Sequence, residues 1–349
     1  MFYKIEALHK AGIKIHLHCF EYGRGQQPEL NQYCEEIFYY QRSKSISAAD
    51  IRLPYIVRSR INSVLLTNLL QNNYPVLLEG IHCSYYLYHG DLRNRKVLVR
   101  LHNVEYEYYA QLASATRDLY KKIYYKLESR LLKNYEHQIA KKAKFIAVSK
   151  KDEQTYKTVF GGTDIEFLPV FLPFNKVQSQ IGKGEYCLYH GNLSVAENEK
   201  AALWLLEKVA SESDIRIVIA GKNPSSLLIS KVEKNRKAQL IQNPSQAEME
   251  GLIKNAHIHL LPSFNSTGIK IKLLSALFNG RFVVTSPGSL EKTGLESLCF
   301  IAADAQQYIE RIGELKENTF SEDEISKRIE ILEKLYDNEK NAKQLMNWL

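Results

Sequence analysis

The feature that most constrains this chain is a regular alternation of short, nearly continuous apolar runs with amphipathic stretches. Val76–Glu79, Lys96–Leu101, Phe145–Val148, Tyr186–His190, Ile215–Ala220, Ile258–Leu261 and Phe282–Thr285 show little in-out alternation. Strands that read this way are buried on both faces, as in a parallel sheet. Ile13–Cys19, Ile37–Tyr40, Glu166–Leu168, Gln239–Ile241 and Cys299–Ile301 are further strand candidates. Helical patterns separate most of them, and parallel neighbours require such crossovers. The expected fold class is therefore α/β, with parallel sheets covered by helices. Capping boxes at Ser245-x-x-Glu248 and Ser321-x-x-Glu324 mark two helix starts.

A length of 349 residues suits two such sheets. The break is expected near residues 172–184. There Leu172-Pro173-Phe174-Asn175 ends a strand-like run, the segment from Gln178 to Gly184 is polar, and a new strand opens at Tyr186. With 45% apolar residues, disorder is excluded as the main state. No apolar run approaches the roughly 18 residues of a membrane span. The opening residues Met1–Glu6 carry no signal pattern, so secretion is not indicated. Five scattered cysteines without a C-x-x-C pair read as reduced thiols in a cytosolic protein, and no structural zinc site is expected.

The start of the chain is unusual. Phe2, Ile5, Ala7 and Leu8 read as a helix, followed by Gly12 and a strand. In a doubly wound sheet a strand precedes the first helix and occupies the middle of the sheet. Its absence would leave two edges without partners.

The net charge of +8 sits entirely in residues 1–170, which hold 25 basic and 17 acidic residues; the remainder is balanced, with 22 of each. Residues 117–151 alone carry eleven basic and three acidic side chains. Leu119, Ile123, Leu127, Leu131, Tyr135 and Ile139 recur there every fourth residue, a helical pattern. One reading is a solvated helix packed through that stripe; the other is a surface for anionic lipid or an anionic substrate. No nucleic-acid module is present, so nucleic acid is not an expected partner.

The sequence lacks G-x-G-x-x-G, Walker A, H-E-x-x-H, G-x-S-x-G and D-x-D patterns, so no metal site is expected. The most informative stretch runs from Pro262 to Thr285. A strand ends at Pro262, a small-residue loop leads to Gly268, a helix is expected from there to Phe278, and Gly280 ends it. Helix-opening amides attract phosphate, and Lys270 and Lys272 add two cations at that end.

This stretch resembles the donor-binding motif of retaining glycosyltransferases with the GT-B fold, of the family 4 or group 1 type, in a G-I-K-x-K-x-L form (Gly268 to Leu274). Other segments match in order. Arg100-Leu101-His102-Asn103-Val104-Glu105 with Tyr108-Tyr109 resembles the R-x-H-N-x-E-x-x-Y-Y stretch of the acceptor-side domain. Phe145 to Ser149 resembles a late strand of that domain. Tyr189 to Leu193 with Glu197-Asn198, and Ile219 to Pro224, resemble the first strands and loops of the donor domain.

The resemblance implies two Rossmann-like domains with parallel sheets facing a central cleft. It implies an acceptor-side domain at 1–172, a nucleotide-sugar donor domain at 173–330 and a C-terminal helix at 331–349 packing back toward the first. It further implies that the N-terminal domain lacks its first strand and loop. The implied reaction moves a sugar from a nucleotide diphosphate to a glycan or lipid-linked acceptor with retention, without metal or cofactor, the nucleotide-sugar being a substrate. An enzyme of polysaccharide biosynthesis at the cytoplasmic face of the inner membrane follows, held to an anionic membrane surface through 117–151. His102 and Asn103 are the implied catalytic residues. Gly191, Asn192, Thr267, Gly268, Ile269, Lys270, Lys272 and Ser275 are the implied donor and phosphate ligands. His82, Glu105 and Glu291 are further candidates.

The family usually shows two glutamates where Thr267 and Ser275 stand, and an arginine where Asn192 stands. Glu291 or Glu296 is a substitute carboxylate. These departures keep two alternatives open: a non-catalytic relative that binds or scaffolds, and a nucleotide-sugar epimerase.

Overall fold

The computed structural model describes residues 1–21, 23, 25–43, 52–116, 118–264 and 269–349. The chain divides into two compact units, one of residues 1–173 and 336–349, the other of residues 174–335.

The first unit contains α1 (Phe2–Lys10), β1 (His16–Glu21), β2 (Glu36–Gln41), α2 (Tyr55–Arg58), α3 (Ser63–Leu70), β3 (Val76–Glu79), α4 (Tyr85–His89), β4 (Val97–Arg100), α5 (Glu105–Ala115), α6 (Leu119–Ile139), β5 (Lys144–Ala147), α7 (Lys150–Val159) and β6 (Ile165–Phe167). Its strands form two parallel sheets, β1-β2 and β3-β4-β5-β6. Side chains along β4 alternate between two cores. Val97 and Val99, with Leu101 just beyond, meet Leu132, Tyr135 and Ile139 of α6, whereas Leu98 meets Ala7 and Leu8 of α1. This two-faced burial is why the strand reads as an unbroken apolar run.

The second unit contains β7 (Cys187–Asn192), α8 (Ala196–Lys208), β8 (Ile217–Lys222), α9 (Ser226–Glu233), β9 (Ala238–Gln242), α10 (Gln246–Asn255), β10 (Ile258–Leu261), α11 (Ile271–Asn279), β11 (Phe282–Thr285), β12 (Phe300–Ile301), α12 (Ala305–Leu315) and α13 (Glu322–Arg328). Its sheet is parallel with strand order β12-β11-β10-β7-β8-β9. Cys187, Tyr189, Ile217 and Ile219 pack under α8 and α12, while Leu188, Val218 and Ala220 face Ile253 of α10 on the other side. Both capping boxes form, at Ser245 with Glu248 and at Ser321 with Glu324. The last helix, α14 (Asn338–Trp348), belongs to the first unit, where Ala342 and Leu345 are buried in the core containing Ala7 and Leu8 of α1.

Two expectations need correction. The α11 helix starts at Ile271, three residues after Gly268, with Lys270 as its N-cap. The four-residue stripe of α6 does not pack as a unit: Leu119, Ile123 and Leu127 are exposed, whereas Tyr135 and Ile139 are buried. A helix turns about 100° per residue, so a spacing of four drifts about 40° per step and winds off the buried face.

Candidate functional site

In the second unit the chain leaves β7 for β8 and β9 on one side and later builds β10, β11 and β12 on the other. Open α/β sheets bind ligands outside the carboxyl ends of the strands where the order reverses in this way. That point lies between β7 and β10. Gly191 and Asn192 end β7, opposite Gly221 and Lys222 of β8.

Glu197, in the first turn of α8, joins the two sides of the reversal. Its Oε1 accepts a hydrogen bond from Ser263 Oγ beyond β10 at 3.2 Å and lies 3.9 Å from Lys270 Nζ. Burial lowers the Lys270 pKa, and the Glu197 carboxylate opposes that shift. Lys272 turns inward: its Nζ donates to Asn198 Oδ1 at 2.8 Å and to Tyr189 Oη at 3.1 Å. Burial pushes its pKa down to about 8. Asn198 in turn donates to the Asn192 carbonyl at 2.9 Å. Lys272 thus holds the β7 loop from within, and Lys270 is the cation placed with Glu197 at the reversal.

The N–H groups of Ile271 and Lys272 open α11. Ile269 is half-buried just before them, and Ser275 is half-buried within the helix. Gly280 follows the helix for reasons of space. A Cβ there would lie 1.9 Å from His259 Nε2, and its φ of −101° is one that any residue adopts. The His259 and His190 rings stand 6.1 Å apart and are buried. Burial, with Lys272 nearby, holds His190 down to about 4. Glu291 is exposed in the loop after β11. Thr267 and Gly268 lie outside the described residues.

In the first unit the parallel register pairs Glu79, at the end of β3, with Arg100, at the end of β4. Glu79 is the hub of a charged cluster. Lys4 of α1 donates to Oε1, Arg100 Nη1 lies 3.8 Å from Oε2, and His102 Nε2 lies 3.3 Å from that same oxygen. His102 stands 5.8 Å from His82, ring to ring. Gly80 permits this arrangement: its φ is +86°, and a Cβ would meet the His82 ring at 2.3 Å. Burial, with Arg60 and His102 adding to it, lowers His82 to about 3. His102 falls to about 4 through burial, with Arg100 and Lys4 adding. Both shifts favour the neutral ring, which donates one hydrogen bond and accepts another.

The turn after His102 is tied down from behind. The Asn103 side chain hydrogen-bonds Glu105, whose carboxyl burial lifts to about 7. Val104, the N-cap of α5, offers no side-chain cap. Glu136 on α6 supplies one: it accepts from the backbone N–H groups of Glu105 at 3.1 Å and Tyr106 at 3.0 Å, and from Tyr156 Oη at 2.9 Å. Burial nevertheless pushes Glu136 up to about 8. The structure thus gathers His82, His102, Asn103 and Glu105 in one unit, and Gly191, Asn192, Lys270 and Lys272 in the other. Sequence reasoning did not single out Glu79 or Glu197 as candidates. Each is an acid at the carboxyl end of a sheet, and that position was the available signal.

Two parallel α/β units of this kind define the GT-B class. The chain is similar in structure to Anabaena HepE, solved with UDP and glucose, at 11% identity and a TM-score of 0.66, covering 99% of this chain and 94% of that one. It is also similar to sucrose-phosphate synthase from Thermosynechococcus elongatus, at 14% identity and a TM-score of 0.70, covering 99% and 90%. The family described as "Glycosyl transferases group 1" matches residues 184–318. An uncharacterized 44.6 kDa protein in the cps region of Klebsiella pneumoniae is 30% identical over 280 residues, 76% of this chain and 71% of that protein. The chain belongs to the group 1 glycosyltransferases, a family of enzymes.

Proposed function

We propose that this enzyme moves a sugar from a nucleoside diphosphate, UDP in the first instance, to a glycan or lipid-linked acceptor, with retention and without metal. The observation that carries the reading is Lys270 beside Glu197 at the strand-order reversal, at the start of α11. As the sugar leaves, the diphosphate gains charge. Lys270 and the opening amides of α11 meet that charge with groups already oriented. The absence of a D-x-D pair from the sequence supports a metal-free route. His102 and Asn103 hold the transferred sugar, with His82 behind them. The cps-region relative supports a role in polysaccharide assembly. No helix among the described residues is long and apolar enough to cross a membrane. We place the enzyme in the cytoplasm, peripheral on the inner membrane face.

Thermal unfolding with UDP, GDP, ADP and CMP tests the donor. A nucleotide at about 100 times its Kd stabilises by about 2.7 kcal/mol, roughly 5–10 °C for a unit of this size. A shift with UDP alone is expected. No shift with any of the four would overturn the reading.

A further inference from the structure

The first half of α6 carries an apolar face that is largely exposed. Leu119, Tyr120, Ile123, Tyr124 and Leu127 are 66%, 87%, 59%, 40% and 55% exposed, within nine residues of one helix. Further along the helix, Leu132, Tyr135 and Ile139 are in the core. Basic side chains border the exposed stripe: Lys126 and Arg130 are exposed and Lys122 is half-buried. No carboxylate among the described residues pairs with these three. Of the two acids in this half, Asp118 caps the helix at Lys121 N and lies 4.0 Å from Lys121 Nζ. Glu128 is buried and accepts the Tyr55 N–H.

An apolar stripe with aromatic members and a bordering row of unpaired cations matches an anionic bilayer surface. Hydrocarbon takes the stripe, the headgroup boundary takes the tyrosines, and lipid phosphates take the cations. A second copy of the chain fits less well, since joining two such faces would bring their cations together.

We propose that this face of α6 docks on anionic lipid. Leu119, Tyr120, Ile123 and Leu127 enter the headgroup boundary, while Lys122, Lys126 and Arg130 meet lipid phosphates. The proposal deepens the peripheral part of the functional reading and needs no transfer chemistry. Its test uses neither donor nor acceptor, so either idea can fail alone.

The test is co-sedimentation of the full chain with vesicles of phosphatidylcholine, with or without phosphatidylglycerol. Binding is expected only with phosphatidylglycerol and should weaken as salt rises. The triple variant K122E/K126E/R130E should bind on the order of 100-fold more weakly. The variant L119S/I123S/L127S should also lose binding while keeping its thermal midpoint, because those side chains support no core. A Tyr120→Trp reporter should shift its emission to the blue on vesicles. Absence of binding, equal binding by the charge-reversed variant, or a dimer in solution abolished by L119S/I123S/L127S would each overturn the proposal.

Discussion

Lys270 and Gly280 lie ten residues apart in one stretch, and they matter for opposite reasons. Lys270 presents charge where the sheet reverses its order. Replacing it with alanine should cost about 1.5–3 kcal/mol of UDP binding, roughly 10- to 150-fold, if it donates to phosphate. Calorimetric titration measures this, and an unchanged Kd would remove Lys270 from the site. Gly280 leaves room for an imidazole. Gly280→Ala should destabilise by about 1–3 kcal/mol through overpacking against His259. His259→Ala in the same chain should recover part of that loss, because the two side chains would compete for one volume. The glycine was legible in the sequence as the end of a helix. Its partner was not, because His259 is twenty-one residues away and meets it only across the folded sheet.

At the scale of elements, α5 depends on α6 for its cap. Glu136→Gln leaves a backbone N–H facing an amide donor, at about 1–3 kcal/mol. The carboxyl also shapes the pH profile. Its folded pKa of about 8 lies above the ordinary 4.5, so its contribution is present below pH 4.5 and is lost as pH rises through 8. His82 acts in the other sense. Its folded value of about 3 lies below 6.5, so its contribution is present above pH 6.5 and is lost as pH falls toward 3. The urea midpoint of the first unit should therefore decline above pH 7, and Glu136→Gln should flatten that limb. A midpoint that climbs steadily to pH 9 would contradict the assignment. The strands were the most legible elements: Val76–Glu79, Ile258–Leu261 and Phe282–Thr285 match the sequence reading to the residue. The strand expected at Ile13–Cys19 lies at His16–Glu21, since Ile13 and Ile15 serve the core beside α1 instead.

At the scale of the molecule, the chain returns to its first unit after building the second, and α14 completes the core against α1. Leu345 is buried there, so Leu345→Ala should cost about 2–5 kcal/mol. The loss should appear in unfolding of the first unit, followed through its tyrosine-rich core, whereas UDP should raise the transition of the second. A Leu345→Ala protein that unfolds like its parent would show that α14 is not part of that core.

Local chemistry was enough to reveal the parallel α/β architecture, because apolar runs and capping boxes act over a few residues. Only tertiary contact decided the rest. Glu79 became a hub because register sets it against Arg100 and α1 delivers Lys4. Lys272 was turned inward by Tyr189 and Asn198, more than seventy residues earlier in the chain. Which part of the α6 stripe faces outward depended on what the helix packs against. Each outcome depends on which distant side chains share a volume, and spacing along a sequence does not contain that distance.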